Sequence, residues 1–228
     1  MKKGCIFDLD GTLVNSLTDL ALSTNEVLKM HGLPIHDISA YNQFIGNGVK
    51  KLIERALPKE HIDLLDECLE EFYQIYDEHC LDHTKPYDGM EELIHTLKKE
   101  GIQLSVVTNK PHHLAVKIVE KLFPDTFTAI LGQQDLYPIK PHPESTFIAL
   151  MSMRLSKDEC YFIGDSNVDI QTGYQAEMDS IGVCWGFRGR DELEKEGATY
   201  VVDVPCEIKE IIDEDRNEFL SSRNEMYI

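Results

Sequence analysis

The sequence lacks any long hydrophobic run. No stretch approaches the ~18 consecutive apolar residues that a membrane-spanning helix requires. Asp8 interrupts the first apolar run, which is too early for the hydrophobic region of a secretory signal peptide. We therefore expect a soluble, cytoplasmic protein that has no membrane partner.

Basic residues are scarce as well. Lysine and arginine number 22 against 41 aspartates and glutamates, which gives a formal net charge of −19. Nucleic acids and anionic membranes are bound through clusters of lysine and arginine, so neither is expected as the main partner. A small anionic metabolite is still compatible with this charge where a local cation or metal ion overrides it. The composition does not indicate an oligomeric state.

Paired cysteine motifs are absent too. The six cysteines are scattered and form no C-x-x-C pair, which argues against a zinc site of the usual spacing. Disulfides are rare in proteins that are not secreted. We therefore expect thiols, mostly packed in the interior, at all of these positions: Cys5, Cys68, Cys80, Cys160, Cys184 and Cys206.

Short apolar, β-branched runs alternate with segments of helical periodicity. This pattern predicts an α/β fold with a parallel sheet covered by helices. The predicted strands are Cys5–Leu9, Leu104–Thr108, Phe127–Leu131, Tyr161–Gly164, Ile181–Trp185 and Tyr200–Val202. The helical segments between and after these strands include Gly89–Glu100, His113–Leu122, Glu144–Arg154 and Glu207–Leu220.

The first two predicted strands are separated by about ninety residues, a gap too long for an ordinary loop. Within it, Leu17–Met30, Val49–Leu57 and Ile62–Glu78 have helical periodicity. We therefore predict an α/β core of residues 1–14 and 84–228, and an all-helical cap of residues 15–83.

Polar residues follow three of the predicted strands, and a lysine precedes one of them. They are Asp8 and Asp10 after the first strand, Thr108 and Asn109 after the second, and Asp165 and Asp169 after the fourth, with Lys140 in the preceding loop. Ligands of open α/β sheets bind beyond the carboxyl ends of the strands. These residues are therefore expected to form one site.

Asp8 and Asp10 determine the predicted chemistry. Residues i and i+2 at a strand end point to the same side, and two close carboxylates repel unless a cation lies between them. Mg²⁺ prefers such oxygen ligands, and Asp165 would supply another. One carboxylate can then act as nucleophile and the other as acid/base in phosphoryl transfer. Thr108 and Asn109, predicted at a helix start, would bind the phosphate with the positive charge of Lys140.

These clusters resemble the motifs of the haloacid dehalogenase (HAD) superfamily, specifically its phosphoglycolate phosphatase-like branch. The matching segments are Phe7-Asp8-Leu9-Asp10-Gly11-Thr12-Leu13-Val14, Thr108-Asn109-Lys110-Pro111, Lys140-Pro141, Gly164-Asp165 and, in the cap, Gly46-Asn47-Gly48-Val49-Lys50-Lys51-Leu52. The resemblance covers nearly the whole chain. It implies a Rossmann-like core with the first strand central, a small helical cap, and Mg²⁺-dependent hydrolysis of a small phosphate monoester.

The resemblance also implies a role for each matched residue. Asp8 would form an aspartyl-phosphate and ligate Mg²⁺. Asp10 would protonate the leaving oxygen, later activate water, and ligate the metal through its carbonyl. The remaining assignments are Thr108 and Lys140 to the phosphoryl group, Asp165 to the metal, and Asp169 to the metal through its bound water.

Substrate selection is predicted to lie in the cap. Gly48 precedes the predicted helix that begins at Val49, and Lys50 lies in its first turn, where the helix dipole would favour an acidic residue instead. We therefore predict that Gly48 and Lys50 bind the carboxylate of a small acid such as phosphoglycolate.

Three other functions use similar residues. An inorganic pyrophosphatase or a phosphosugar mutase of the same fold would share the core residues, whereas a dehalogenase or phosphonate hydrolase would not be expected to keep Asp10. A phospho-acceptor signalling domain of the receiver type also combines an acidic pocket with a lysine. Receiver domains, however, are about half this length and have no cap.

Overall fold

A computed structural model of the 228-residue chain describes the backbone of residues 1–225 and side chains up to residue 222. The strands are β1 (Gly4–Phe7), β2 (Val14–Asn15), β3 (Lys85–Pro86), β4 (Gln103–Pro111), β5 (Ala129–Gln133), β6 (Cys160–Gly164), β7 (Asp179–Val183) and β8 (Tyr200–Val202). The helices are α1 (Leu17–Met30), α2 (Tyr41–Phe44), α3 (Val49–Ala56), α4 (Leu65–His79), α5 (Met90–Lys99), α6 (His112–Leu122), α7 (Glu144–Met153), α8 (Asn167–Gln175), α9 (Arg190–Lys195) and α10 (Pro205–Glu225).

The main sheet is parallel and contains six strands in the order β5-β4-β1-β6-β7-β8. Strand β1 is central and fully buried, because its apolar side chains are covered on both faces of the sheet. Phe7 pairs with Val106 on one side and with Ile163 on the other. The residues that follow β1 and β6 therefore emerge side by side. This architecture confirms the predicted α/β class and the central first strand.

Helices α1 to α4 lie between β2 and β3, and these two short strands form a separate antiparallel pair. Val14 pairs with Pro86 and Asn15 with Lys85, so the two ends of the helical insertion are held together. Buried Asp19 of α1 strengthens this closure, because its carboxylate accepts hydrogen bonds from the backbone N–H and hydroxyl of Thr84 at 2.8 and 2.7 Å. The division into residues 1–14 with 84–228 and residues 15–83 stays a prediction.

Several predicted elements differ from the structure. The strands predicted over Phe127–Leu131 and Ile181–Trp185 lie at Ala129–Gln133 and Asp179–Val183, two residues later and two residues earlier in the chain. The segment Ile62–Glu78 is not one α-helix, because its first residues belong to a 3₁₀ segment over Lys59–Leu64 and α4 follows this segment. The 3₁₀ segment also contains a residue with non-helical backbone angles, His61. Strand β4 continues to Pro111, three residues beyond its predicted end at Thr108. All six cysteines are thiols, and four of them are buried. Within residues 1–225, no helix is long and apolar enough to cross a membrane.

Candidate active site

Asp8 follows the central strand and faces a buried lysine. Nζ of Lys140, in the loop between β5 and α7, lies 2.8 Å from Oδ1 of Asp8 and 2.6 Å from Oδ1 of Asp169. The Lys140 side chain is only 2% exposed, so water screens these ion pairs very little. The structure thus brings together Asp8 and Asp169, predicted from two strand ends, and Lys140 from the predicted loop.

Asp169 is also held by the start of α8. Its second oxygen, Oδ2, accepts hydrogen bonds from the backbone N–H of Ser166 at 3.1 Å and from the Ser166 hydroxyl at 2.6 Å. This arrangement is a capping box, in which the residue before the helix and its third residue satisfy one another's polar groups. Asp169 therefore fixes the position of the Lys140 ammonium.

Asp165 lies in a narrow cradle of backbone. Its two oxygens accept hydrogen bonds from the Thr12 hydroxyl at 3.2 Å and from the Phe187 backbone N–H at 2.7 Å. A Cβ atom at Gly11 or Gly186 would lie 2.4 or 2.3 Å from the nearest Asp165 atom, so only glycine fits at either position. The sequence places these glycines in separate loops that both pack on one carboxylate.

The electrostatics of this cluster indicate missing positive charge. Burial raises the pKa of Asp8 to about 6; Lys140 opposes this rise, and Asp169 and Asp10 add to it. Burial, with the charges of Asp169 and Asp8, also raises the pKa of Asp165 well above its usual range. Although burial alone would lower the pKa of Lys140, its ion pairs with Asp169 and Asp8 outweigh burial and raise it. One ammonium thus faces three carboxylates.

The donor set fits a divalent metal ion. Carboxylate oxygens of Asp8, Asp165 and Asp169 all lie within 4.8 Å of one another. Oδ1 of Asp8 is buried and, despite the nearby Lys140, makes no hydrogen bond of good geometry. An unsatisfied buried oxygen in an all-oxygen, negatively charged cluster suits Mg²⁺, a hard cation.

The Asp10 side chain points to a second lysine. Nζ of Lys110 lies 2.9 and 3.1 Å from the two Asp10 oxygens, and the Ser16 hydroxyl donates to Oδ1 at 2.6 Å. The same ammonium donates to the Tyr76 hydroxyl at 2.8 Å. Lys110 belongs to the Thr108–Pro111 motif but was not predicted as a site residue. Lys110 directly follows two polar residues at the end of a buried strand, and this position could have indicated that it belongs to the site.

Thr108 and Asn109 lie at the site, but not at a helix start. Helix α6 begins only at His112, so the predicted helix-terminus contribution to phosphate binding is wrong for these two residues. The Asn109 side chain accepts from the Lys140 backbone N–H at 2.8 Å and donates to the Lys140 carbonyl at 3.1 Å. Asn109 therefore supports the Lys140 loop, and both Thr108 and Asn109 line the cavity described next.

A cavity of about 40 Å³ separates these core residues from the cap. Its cap side is apolar, and Gly48 lies among its lining residues, while its contact with a substrate carboxylate stays a prediction. The cap side chains that line it are Leu20, Ile45, Val49 and Leu52. The cap thus presents mainly aliphatic side chains to the core residues across this cavity.

Lys50 is not at this cavity. Its side chain is 64% exposed, and Nζ lies 3.9 Å from Oδ1 of Asp66 on the surface. Helix α3 is amphipathic: Val49 and Leu52 are buried and face the cavity, and Lys50 is turned to solvent. The structure thus corrects the prediction that Lys50 binds a substrate carboxylate.

Comparison with known proteins agrees with this arrangement. The family of haloacid dehalogenase-like hydrolases matches residues 5–183. The chain belongs to this family. The HAD-like chain is 34% identical to the phosphoglycolate phosphatase of Colwellia psychrerythraea, over 89% of this chain and 93% of that protein. It is 30% identical to the N-acetylmuramic acid 6-phosphate phosphatase of Pseudomonas aeruginosa, over 92% of this chain and 95% of that protein.

Solved structures give the same result. A Lactobacillus delbrueckii subsp. bulgaricus protein superimposes with a TM-score of 0.85 at 33% identity, covering 93% of this chain and 99% of that chain. A predicted phosphoglycolate phosphatase from Haemophilus somnus superimposes with a TM-score of 0.83 at 31% identity, covering 92% and 98%. The HAD-like chain is thus a phosphoric monoester hydrolase, similar in fold and sequence to the phosphoglycolate phosphatases.

Proposed function

We propose that the chain is a Mg²⁺-dependent phosphatase that hydrolyses a small phosphate monoester, phosphoglycolate first among them, through a phosphate ester on Asp8. The observation that carries this proposal is the pairing of Asp8 with Lys140, beside Asp165 and Asp169, at the edge of one small cavity. The similarity to phosphoglycolate phosphatases supports the substrate.

Each step of the proposed reaction uses residues that line the cavity or, like Lys140, contact a residue that lines it. A carboxylate oxygen of Asp8 attacks phosphorus while the bond between phosphorus and the ester oxygen breaks. Asp10 gives its proton to the departing oxygen, then takes a proton from the water that hydrolyses the acyl phosphate and restores the Asp8 carboxylate. Lys140 holds the nucleophile and the phosphoryl oxygens together by its charge, and Thr108 donates a hydrogen bond to those oxygens.

Mg²⁺ would be held by Asp8 and Asp165, with Asp169 beside them, since oxygens of all three residues lie within 4.8 Å of one another. When bound, the ion would neutralise excess negative charge and polarise the phosphoryl group. The earlier expectation that the Asp10 carbonyl is a further ligand stays a prediction. So does the indirect role of Asp169, which in this structure pairs with Lys140.

The size of the cavity favours a small substrate. At about 40 Å³, lined on the cap side by aliphatic groups, it suits the glycolyl group better than the amino sugar that the Pseudomonas aeruginosa relative is named for. A pyrophosphatase would place a second phosphate against these aliphatic side chains, and a mutase would have to hold a whole sugar there. Family membership supports a hydrolase rather than a signalling domain.

A panel of phosphate compounds tests this proposal directly. With Mg²⁺ we expect kcat/KM to be highest for phosphoglycolate, at least about tenfold above N-acetylmuramic acid 6-phosphate, pyrophosphate and glucose 1-phosphate, because the two sugars are larger than the glycolyl group and a second phosphate carries more charge than the glycolyl carboxylate. Addition of EDTA should remove the activity, and Mg²⁺ should restore it. Faster hydrolysis of pyrophosphate, or phosphoryl transfer to a second sugar position, would contradict the proposal.

The raised pKa of Asp8 predicts how Mg²⁺ binding depends on pH. Because this pKa is about 6 in the folded protein and 3.8 ordinarily, the folded, metal-free protein binds more protons between those values than the unfolded chain does. The contribution of Asp8 to stability therefore falls as the pH rises through this window. Mg²⁺ requires the deprotonated carboxylate, so it should raise the unfolding temperature more at about pH 7 than at about pH 5.

Differential scanning calorimetry with and without Mg²⁺ measures this difference. The Asp8→Asn variant is the matched control, since it keeps the shape of the side chain and removes the titrating group. An equal Mg²⁺ effect at both pH values in the unsubstituted protein would contradict the assignment of Asp8 as a ligand.

A further inference from the structure

A chain of contacts leads from the cap to the candidate acid/base residue. Tyr76 belongs to α4, a helix of the insertion, and its hydroxyl accepts a hydrogen bond from Lys110 Nζ at 2.8 Å. The same ammonium donates to Asp10 Oδ1 at 2.9 Å and to Oδ2 at 3.1 Å. The ammonium thus joins the Tyr76 hydroxyl to both oxygens of the Asp10 carboxylate.

Both intermediate side chains are buried and held in place. The Lys110 side chain is only 2% exposed, and its ammonium lies 4.7 Å from the centre of the Tyr76 ring, within cation–π range. Tyr76 is fully buried and stacks on Phe72, with ring centres 5.1 Å apart and planes 17° apart. A fixed ring fixes the hydroxyl, and the hydroxyl fixes the direction of the ammonium.

We propose that Tyr76 and Lys110 are positioning residues for Asp10, so that the cap supplies part of the geometry for proton transfer to the leaving group. The inference rests on the proposed function in one respect, namely that Asp10 is the acid of the first step. It adds that a residue of the cap, remote from phosphorus, determines how well this acid works. Docking of the cap would then complete the catalytic arrangement as well as cover the substrate.

A general role in docking the cap is the competing explanation, and the chain offers a control for it. Lys117 of α6 binds the carbonyl and the carboxylate of Asp77, the residue next to Tyr76, with Nζ 3.3 Å from Oδ1. This second contact between α4 and the core is exposed and does not involve Asp10. Lys117→Met therefore weakens the same junction without touching the proposed chain of contacts.

Two small phosphates of similar shape report on the acid directly. Ethyl phosphate releases an alkoxide, which needs a proton as the bond breaks, whereas acetyl phosphate releases a stable carboxylate that needs none. A misplaced acid should therefore slow ethyl phosphate alone. The constant to compare is kcat/KM, because it reports the steps up to departure of the leaving group.

For Tyr76→Phe we expect kcat/KM for ethyl phosphate to fall about tenfold, the effect of one lost hydrogen bond to a charged group, with less than about a twofold change for acetyl phosphate. Lys110→Met should lower kcat/KM for ethyl phosphate about a hundredfold, since it removes both contacts to Asp10, and it should again change kcat/KM for acetyl phosphate little. In the double variant, Tyr76→Phe should add nothing to Lys110→Met, because both act through one ammonium.

The reference and control variants decide between explanations. Asp10→Ala should show the largest selective loss of kcat/KM for ethyl phosphate relative to acetyl phosphate. Lys117→Met should leave kcat/KM for both substrates unchanged. If Asp10→Ala slows ethyl phosphate no more than acetyl phosphate, the acid role in the proposed function is wrong, and this inference is wrong with it. If Asp10→Ala selectively slows ethyl phosphate but Tyr76→Phe slows both substrates equally, or slows neither, then only this inference is wrong.

Lys110→Met distinguishes one further possibility. A loss confined to phosphoglycolate, with ethyl phosphate unchanged, would mean that Lys110 binds a substrate carboxylate, and it would overturn the positioning role. Should Lys110→Met fail to fold, Tyr76→Phe decides by itself, because it keeps the stacked ring and removes only the hydroxyl.

Discussion

Asp8→Asn is expected to abolish phosphatase activity and leave the fold intact. A carboxamide has nearly the shape of a carboxylate but is a far weaker nucleophile, so kcat should fall at least about a thousandfold. Stability should not fall at neutral pH, because burial outweighs the attraction of Lys140 and raises the pKa of Asp8 to about 6, so the charged carboxylate is unfavourable in the folded protein. The measurements are steady-state kinetics with phosphoglycolate and the unfolding temperature without metal.

Trapping the intermediate makes this prediction specific to the nucleophile. Acid quenching of the unsubstituted enzyme during turnover should leave phosphate on the peptide that contains Asp8, and the variant should show none there. Asp66→Asn, at a side chain that is 90% exposed, is the matched control and should behave like the unsubstituted enzyme. Residual activity above a few per cent in freshly prepared Asp8→Asn, or a phosphorylated peptide elsewhere in the chain, would contradict the assignment.

The sequence predicted those parts of the fold that depend on local patterns. Leu17–Met30 is helical over the predicted range, because its apolar residues recur at helical spacing. The site residues at the strand ends could be predicted for the same reason, because Asp8 and Asp165 follow the buried apolar runs of two neighbouring strands. Once a parallel sheet is predicted, residues at these ends converge.

The cap contacts could not be predicted in this way. Tyr76 and Lys110 are 34 positions apart in the chain, and their contact depends on how α4 packs on the core, which no local pattern specifies. For Lys50 the local pattern held the answer: Val49, Leu52, Ile53 and Ala56 mark the buried face of α3 and leave Lys50 outside it. The charge of this lysine suggested a ligand, and the periodicity of its helix would have argued against it.

Lys140→Met should cause the second large loss, in both activity and stability. Methionine fills the same space, but it leaves Asp8 and Asp169 buried without the ammonium that lies 2.8 and 2.6 Å from them. Breaking a buried ion pair in this way typically costs about 3–5 kcal/mol of folding free energy. Loss of the charge that holds nucleophile and phosphate together should lower kcat about a hundredfold or more.

Mg²⁺ should act on this variant in the opposite direction. Removing one positive charge from a cluster of three carboxylates strengthens its attraction for a cation, so Mg²⁺ should raise the unfolding temperature of Lys140→Met more than that of the unsubstituted protein. Activity should nevertheless stay low, because the ion cannot replace an ammonium that is fixed between Asp8 and Asp169.

Thermal unfolding over a series of Mg²⁺ concentrations, together with kinetics on phosphoglycolate, tests both parts. Lys157→Met is the matched control, since Lys157 makes an exposed ion pair with Glu177 and with no carboxylate of the site, and this pair should contribute little. A variant that keeps kcat within tenfold would show that Lys140 is not needed for phosphoryl transfer. If Mg²⁺ raises the unfolding temperature of Lys140→Met less than that of the unsubstituted protein, the prediction is wrong. Lys140 would then arrange the carboxylates for the metal ion and would not compete with it.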